Sequence, residues 1–332
     1  MTSLAAVDIS VIVLNWNGAQ FLPRCLQSLR EQTWRNIQVL LADNGSTDNS
    51  LPLVKRDFPE VEIIDYGQNL GYAEGNNRAV PLSKATYLLF LNNDTWLDPG
   101  ALASLVSAAK GEPAAAILAP QIRTYDGTEF VSMGIGVDLL GFPCGGKVFY
   151  ADGAALFVRR DVFRDLGGFD IQHFMFFEET DLCWRAWLHG YRVRTVPSAI
   201  VYHKVGGTAG SSSVSEERYI TSMSKRRLTH RNQVVNLLKN YSTPTLCVAL
   251  PLFAILTAAE VILLLVTGQG RAVRESYLPA WGDLLRRRAQ LFATRQAVQS
   301  SRTVDDWAIL RRMCWRFAMV DHFFHVGMPT IR

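Results

Sequence analysis

Short apolar strands alternate with amphipathic helices through the first third of the chain, and this rhythm restricts the fold more than any other feature. The strand-like runs are Ile9–Leu14, Ile37–Ala42, Val61–Asp65 and Tyr87–Leu91. The segments with helical spacing of apolar residues are Phe21–Gln32, Thr47–Phe58, Gly75–Leu82 and Ala101–Lys110. Alternation of this kind predicts an α/β fold, in which helices cover both faces of a mostly parallel sheet.

Polar residues follow all four of these strands. They are Asn15 and Asn17 after the first, Asp43 after the second, Arg78 after the third, and Asn92, Asn93 and Asp94 after the fourth. One such cluster alone would indicate a turn, because asparagine and aspartate are ordinary turn residues. Four clusters at the carboxyl edge of one sheet instead predict a ligand site. A carboxylate such as that of Asp94 suits Mg²⁺ or Mn²⁺, and an acid after the second strand can bind a ribose.

A second group of acids lies in the segment FMFFEETDLCWRAWLHGYRV. Glu178, Asp181 and Arg185 share one face of the predicted helix, and an Asp181–Arg185 ion pair is the plain structural interpretation. Glu179 points elsewhere and has no obvious local cation. A later strand, TVPSAIVYH, ends at His203, which becomes a metal-ligand candidate in a chain that already presents a carboxylate at a strand tip.

Several ordered segments together resemble one protein family. They are VIVLNWNG, LLADNGSTDNS, NLGYAEGNNRAV, LLFLNNDT, ADGAALFVRRDVF, GGFDIQHFMFFEETDLCWRAWLHGYRV and PSAIVYHKVGGT, within residues 9–208. In these motifs and in their order the chain resembles the inverting glycosyltransferases of family two, which have the GT-A fold. The narrower resemblance is to bacterial rhamnosyltransferases that use dTDP-L-rhamnose.

The resemblance implies a role for each matching residue. It places the donor nucleotide near Asn15, Asn17, Asp43, Arg78, Asn92 and Asn93, and it places the metal, Mg²⁺ or Mn²⁺, on Asp94 and His203. It makes Glu179 the catalytic base, and it assigns the acceptor or donor-sugar region to Gly153, Ala154, Glu178 and Asp181. Two positions depart from the family pattern. Asn92 replaces a usual aspartate, which implies a hydrogen bond to the ribose, and Glu179 stands where aspartate is common.

The resemblance also implies the reaction. One base and one divalent cation suffice for a single in-line displacement with inversion. We therefore expect transfer of a sugar, L-rhamnose from dTDP-L-rhamnose, to a polyprenyl-diphosphate-linked saccharide in cell-wall or surface-polysaccharide synthesis. Two alternatives stay open at this stage. One is the same fold with a UDP-hexose or UDP-galactofuranose donor, and the other is a catalytically silent, membrane-bound scaffold that binds sugar nucleotides.

Charge and hydropathy both change near residue 210. Residues 1–210 hold 17 Lys and Arg against 22 Asp and Glu, whereas residues 211–332 hold 17 against 8 and carry a net charge of +9. Residues 246–267 are apolar with one charge, Glu260, and basic clusters lie on both sides. A single membrane span would export one basic cluster, against the positive-inside tendency. Helices that lie on the cytoplasmic face, or dip into it, are therefore the expectation.

These observations predict the organisation of the whole chain. A GT-A catalytic domain is expected over residues 1–210, with the nucleotide-sugar part at about 1–110 and the acceptor part at about 111–210. A linker at residues 206–215 leads into a basic, apolar, purely helical region over 211–332. The expected location is the cytoplasmic face of the cell membrane. A helical hairpin that packs on the catalytic domain, or in a homo-oligomer, is the alternative.

Two further expectations concern partners and redox state. Nucleic acid is not an expected partner, because the apolar content of the basic half is too high for a phosphate-binding face. Five dispersed cysteines without a CxxC pair predict reduced thiols and no disulfide framework.

Overall fold

The computed structural model describes residues 7–204, 213–215, 218–327 and 330–331. The chain divides into two compact units. Unit 1 comprises Met1–Gly134, Tyr150–Ala186 and Tyr191–Thr208, and unit 2 comprises Ile135–Phe149, Trp187–Gly190 and Ala209–Arg332. The assignment of the catalytic domain to residues 1–210, with its two parts, stays a prediction.

The secondary structure alternates strands and helices first and is mainly helical afterwards. The strands are β1 Ile9–Asn15, β2 Ile37–Asp43, β3 Glu62–Asp65, β4 Tyr87–Asn92, β5 Thr95–Leu97, β6 Ala115–Thr124, β7 Phe130–Ser132, β8 Gly136–Val137, β9 Pro143–Cys144, β10 Ala155–Arg159, β11 Arg192–His203, β12 Ser213–Ser215, β13 Arg218–Thr221 and β14 Thr330–Ile331. The helices are α1 Leu22–Arg30, α2 Ser50–Asp57, α3 Gly71–Ala79, α4 Ala101–Gly111, α5 Arg160–Asp165, α6 Glu178–Leu188, α7 Met223–Asn240, α8 Thr243–Val266, α9 Gly270–Ala272, α10 Leu278–Arg286, α11 Arg288–Ser301, α12 Asp306–Leu310 and α13 Ala318–Val326.

One nine-stranded mixed sheet organises unit 1. Its strand order is β3-β2-β1-β4-β10-β6-β11-β5, and β7 pairs with β6. The first four strands in this order are mutually parallel, as the sequence predicts, whereas β10 runs antiparallel to both β4 and β6. Because β10 is reversed, the residues just before it lie at the same sheet edge as the carboxyl end of β4. That edge holds the predicted site.

The strands of unit 1 are continuous apolar runs because both faces of the sheet are covered. Leu88 to Leu91 of β4 are all at most 1% exposed, because alternate side chains point to opposite, covered faces of the sheet. On one face, Leu89 and Leu91 share a core cluster with Leu102 and Leu105 of α4. This packing fixes the position of the strand tip that follows.

Several predicted boundaries differ from the structure by a few residues. The helix predicted at Gly75–Leu82 begins earlier, as α3 Gly71–Ala79, and continues as a short 3₁₀ turn at Val80–Leu82. The predicted linker at 206–215 lies outside the described residues apart from Ser213–Ser215, which form β12. Strand β12 pairs with β13, and β13 pairs with β14, so the expectation of helices alone in this region is wrong.

Unit 2 is built around α7, against which α8, α10 and α11 pack. One ion pair joins α7 to α8: Arg226 contacts both carboxylate oxygens of Glu260, and the two side chains are only 14% and 10% exposed. Arg226 also donates a hydrogen bond of 2.8 Å to the hydroxyl of Tyr277. The single charge within the apolar stretch is therefore neutralised inside the protein.

Helix α8 is long and apolar enough, by length and composition alone, to cross a bilayer, and 22% of its most apolar window is buried within the structure. No other helix among the described residues passes this test. Core helices of soluble proteins also pass it, so the finding is weak evidence for a span. The helix continues unbroken through Pro251.

The prediction of reduced thiols is wrong for two cysteines of unit 2. Cys144 and Cys314 form a disulfide across 170 residues of sequence. Cys25 and Cys183 are buried free thiols, and Cys247 is an exposed one. No CxxC spacing signals the bond, because the fold alone brings the two partners together.

A buried ion pair lies in α6 of unit 1. A guanidinium nitrogen of Arg185 is 2.7 Å from Oδ2 of Asp181, and the two side chains are 5% and 0% exposed. Arg185 also donates to the backbone carbonyls of Leu166 and Gly168. The plain structural interpretation of this pair is confirmed, while the place of Asp181 in the acceptor region stays a prediction.

Asp181→Ala should lower the free energy of unfolding by about 3–5 kcal/mol, because it leaves a buried guanidinium without its counter-ion. Urea denaturation followed by circular dichroism measures this loss. Asp165→Ala is the matched control, since Asp165 pairs with Arg164 at 3.4 Å on the surface, and it should cost less than about 1 kcal/mol. Equal effects of the two substitutions would contradict a special role for the buried pair.

Candidate active site at the carboxyl edge of the sheet

Asp94 and His203 meet where β4 ends. The antiparallel pairing of β5 with β11 sets His203 opposite Thr95, next in sequence to Asp94. His203 Nε2 lies 3.4 Å from Asp94 Oδ1, and the Asp94 residue is 2% exposed. The structure therefore brings together the two residues that the sequence predicts as metal ligands, although 109 positions separate them in the chain.

Asp94 changes the proton affinity of the imidazole beside it. Burial lowers the pKa of His203, but the hydrogen bond and negative charge of Asp94 more than compensate, so the net pKa of His203 is raised. Within the described ranges, no three His, Cys, Asp or Glu side chains cluster as a metal cage. Mg²⁺ and similar ions are commonly held by one or two carboxylates together with substrate phosphates and water. A carboxylate with an adjacent imidazole matches that mode of binding.

Asn15, Asp43 and Asn93 form one buried hydrogen-bond network beside this pair. Asn15 Nδ2 donates to Asp43 Oδ2 at 2.7 Å, and Asn93 Nδ2 donates to Asn15 Oδ1 at 2.6 Å. Ser46 donates to the Asp43 carboxylate through both its backbone N–H and its hydroxyl. The predicted convergence of the first, second and fourth strand tips is confirmed. The nucleotide-binding role of these residues stays a prediction.

The turn after β1 depends on a glycine that the sequence reasoning missed. A Cβ atom on Gly18 would lie 2.0 Å from Asn93 Nδ2 and 2.4 Å from Asn15 Oδ1, so a side chain there would break the network. The preceding Asn17 has a φ of +52° and accepts a hydrogen bond from the Thr47 N–H at 2.8 Å. The Asn-Gly dipeptide was the available signal, because it marks tight turns.

Two predicted nucleotide contacts lie outside this network. Arg78 on α3 pairs with Glu74 at 2.5 Å and is half exposed. The backbone of Asn92 makes two hydrogen bonds within the fold. Its N–H donates to the Ala154 carbonyl at 3.0 Å, and its carbonyl accepts from the Thr95 hydroxyl at 2.7 Å. Contacts of the Asn92 amide and of Arg78 with a donor stay predictions.

Helix α6 brings Glu178 and Glu179 into the site, and the backbone of the segment before this helix is strained. Three phenylalanines before the helix, Phe174, Phe176 and Phe177, have φ values of +62°, +73° and +69°. Such conformations cost roughly 1–3 kcal/mol each in residues other than glycine and cluster at active sites. The N–H groups of Tyr72 and Ala73 hold this segment by donating to the Phe174 carbonyl.

Glu179 faces a short turn that precedes β10. A Cβ atom on Gly153 would lie 3.6 Å from Glu179 Cδ, and the Tyr72 hydroxyl donates to the Gly153 carbonyl at 2.8 Å. Burial, followed by the charge of Asp152, raises the pKa of Glu179 to about 7. Asp152 belongs to the ADGAALFVRR segment, but the sequence did not single it out. Its proximity to Glu179 on α6 arises only in the folded chain.

The adjacent Glu178 has a different environment. It is 3% exposed, and its Oε2 atom has no hydrogen-bond partner among the described atoms. Burial, followed by the charge of Glu179, raises its pKa well above the usual range for a carboxyl group. Burial therefore favours the protonated form of Glu178, and the two acids influence each other's protonation. Acids with strongly perturbed pKa values are typical of functional sites.

The fold and this edge define a class of protein: a glycosyltransferase with the GT-A fold. The model of the family described as Glycosyl transferase family 2 matches residues 10–167. The N-acetylglucosaminyl-diphospho-decaprenol L-rhamnosyltransferase of Mycobacterium tuberculosis is 30% identical in an alignment of 243 residues that covers 62% of this chain and 79% of that protein. The chain belongs to glycosyl transferase family 2.

Solved structures agree with the fold. The mannosyltransferase PcManGT of Pyrobaculum calidifontis, in complex with GDP-Man and Mn²⁺, aligns with a TM-score of 0.55 and 16% identity over 88% of this chain and 85% of its own. S. aureus TarS in complex with UDP aligns with a TM-score of 0.52 and 18% identity over 70% of this chain and 66% of its own. At these identities the likeness shows the fold alone.

Asp94→Asn should weaken Mn²⁺ binding measured by water-proton relaxation with dTDP present. Loss of an outer-shell partner already weakens metal binding by ~10–100-fold, so loss of a direct carboxylate ligand should cost at least as much. His203→Ala should weaken binding less, because the carboxylate remains. Asp57→Asn, on the exposed end of α2, is the control and should bind as the wild type does. Unchanged Mn²⁺ affinity in Asp94→Asn would exclude this residue as a ligand.

Proposed function

We propose that the protein transfers L-rhamnose, with inversion, from dTDP-L-rhamnose to a hydroxyl of a polyprenyl-diphosphate-linked saccharide. The observation that carries this proposal is the meeting, at one sheet edge, of the Asp94–His203 pair with a separate carboxylate, Glu179, whose pKa is about 7. The transferred sugar and the kind of acceptor follow the name of the mycobacterial relative. The dTDP carrier follows from the resemblance of the sequence motifs to rhamnosyltransferases. Cell-wall or surface-polysaccharide assembly is the process that such a product would serve.

Glu179 is the general base in this proposal. An acceptor hydroxyl is a weak nucleophile until a base removes its proton, and a positioned base contributes typically ~10²–10⁴-fold. A pKa of about 7 lets the carboxylate exist in the ionised form at neutral pH and still bind a proton strongly. Gly153 leaves open space beside the carboxylate, because it carries no side chain.

Asp94 and His203 would hold Mg²⁺ or Mn²⁺ together with the donor diphosphate. A divalent cation bound there neutralises charge on the departing nucleoside diphosphate. The Asn15–Asp43–Asn93 network lies next to this pair along the strand tips, where its amide and carboxylate groups suit a base and ribose. The scheme contains one base and no second, nucleophilic carboxylate. We therefore propose a single displacement, which inverts the configuration of the sugar.

A panel of nucleotide sugars tests the proposal directly. Release of the nucleoside diphosphate should require a lipid-linked saccharide acceptor and should be fastest with dTDP-L-rhamnose. Fastest release with a UDP-hexose or UDP-galactofuranose would overturn the donor but keep the enzyme class. No acceptor-dependent release with any donor would leave a binding scaffold as the remaining function.

Glu179→Gln should abolish transfer while donor affinity stays near that of the wild type, because the amide keeps the shape of the carboxylate and loses its basicity. Turnover and calorimetric binding of dTDP in the presence of Mg²⁺ measure the two effects separately. Gln296→Glu on the exposed surface of α11 controls for the change of a single charge. Near-normal turnover of Glu179→Gln would remove this residue from the mechanism.

Membrane association of unit 2 is part of the proposal. Large apolar side chains of α8 are exposed along one stripe: Val248 (71%), Ile255 (65%), Ile262 (61%) and Val266 (79%). At 3.6 residues per turn they lie opposite the buried Ala249, Phe253, Thr257 and Leu264. Exposed arginines of the same unit, Arg271, Arg274 and Arg286, supply charge that attracts anionic lipid. We therefore propose the cytoplasmic face of the cell membrane as its location.

The full chain should bind vesicles of phosphatidylglycerol and phosphatidylcholine in flotation assays. High salt should weaken this binding without abolishing it, because salt screens the arginines but not apolar burial. Replacing Ile255 and Ile262 by Glu should abolish it, whereas Gln296→Glu with Ser300→Glu, which adds the same charge to exposed positions of α11, should not. Two results together would make the stripe a subunit interface instead: unaltered flotation of the α8 variant, and a wild-type dimer that becomes a monomer in this variant.

A further inference from the structure

The Asp152 carboxylate has two fixed contacts in unit 1. Its Oδ1 atom accepts a hydrogen bond of 2.9 Å from the Ala154 N–H, and its Oδ2 atom accepts one of 3.0 Å from the Ser132 hydroxyl. The residue is only partly buried. These bonds hold a negative charge in one orientation at the start of β10, with no basic side chain among its hydrogen-bond partners in the described structure.

The next residue in the chain lies against the proposed base. A Cβ atom on Gly153 would be 3.6 Å from Glu179 Cδ and 3.8 Å from Glu179 Oε1. The hydroxyl of Tyr72 fixes the backbone at this point through its hydrogen bond to the Gly153 carbonyl. Asp152 and Glu179 therefore belong to two separate segments that the fold holds together around one glycine.

We propose that Asp152 is a positioning residue for catalysis, whose fixed negative charge keeps the Glu179 carboxylate able to take the proton of the acceptor hydroxyl. The inference rests on the proposed function, in which Glu179 is the base. Asp152 acts through Glu179 and forms no bond to the reacting atoms. Its role is to set how strongly Glu179 holds a proton.

The electrostatic surroundings of Glu179 single out Asp152. After burial, the charge of Asp152 is the cause that raises the pKa of Glu179 to about 7. Among the described residues, the titratable groups that interact with Glu179 include Glu178 on the same helix, Tyr72 on α3, Tyr150 before the turn, and Cys183. Burial raises the pKa of each, so the two tyrosine hydroxyls and the thiol are uncharged near pH 7 and Glu178 favours its protonated form. The charge of Asp152 also acts on His203, whose pKa it raises. Further along α6, Asp181 is neutralised by Arg185.

Asp152→Asn tests the inference, because it keeps an oxygen acceptor for the Ala154 N–H and removes the charge. Carbon NMR of the full chain labelled at glutamate carboxyl groups can follow the titration of Glu179, with Glu179→Gln identifying its signal. The titration midpoint should fall by about half a pH unit or more when the like charge is removed. Asp161→Asn, a charge-matched control beyond the other end of β10 in an exposed pair with Arg159, should leave the midpoint in place. An unchanged midpoint in Asp152→Asn would overturn the proposal.

The pH dependence of kcat/KM provides the second measurement. The acidic limb should move to lower pH in Asp152→Asn, because Glu179 then loses its proton more readily. A uniform loss of activity at every pH, with the limb unmoved, would indicate a structural role and overturn the proposal. Failure of the proposed function has a different signature: no transfer by the wild type, or normal transfer by Glu179→Gln. In that case the NMR midpoint still decides whether the two carboxylates are coupled.

Discussion

The reversal of one strand, β10, is the constraint on which the rest of unit 1 depends. β10 is inserted antiparallel between β4 and β6, so the chain enters it at the edge where β4 ends. The Asn92 N–H bonds the Ala154 carbonyl at this point, which ties the strand tip with the metal-ligand candidates to the turn that faces Glu179. A parallel strand would put that turn at the far edge of the sheet. Glu179 and the Asp94–His203 pair would then lie a strand length apart.

The strand tips were predictable because their convergence needs only local information. Alternating strands and helices predict parallel neighbours, and parallel neighbours bring Asn15, Asp43 and Asn93 to one edge whatever their exact order. The Asp181–Arg185 pair was predictable for a similar reason, since helical spacing alone brings the partners together. Asp94 and His203 were candidates because each lies at the end of a strand, and the resemblance to the family added the role of metal ligand for both.

Other features had no local signal. The contact between the Asp152 turn and Glu179 depends on the direction of β10. The residues of the turn and of α6 carry no pattern that indicates this direction. The Cys144–Cys314 bond joins positions 170 residues apart, and the dispersed spacing indicated the opposite. Gly18 looked like an ordinary turn glycine, although its missing side chain is what allows Asn93 to reach Asn15. In each case the deciding neighbour is distant in sequence.

The proton affinity of Glu179 also bears on physiology. A carboxylate whose pKa is about 7 is close to half ionised at neutrality. A fall of one pH unit below that point would leave only about a tenth of the molecules with an ionised base. An enzyme that depends on such a base slows when its compartment acidifies, without any loss of protein or substrate. Under the proposed function, the rate of sugar transfer would then follow the pH of the compartment that holds the enzyme.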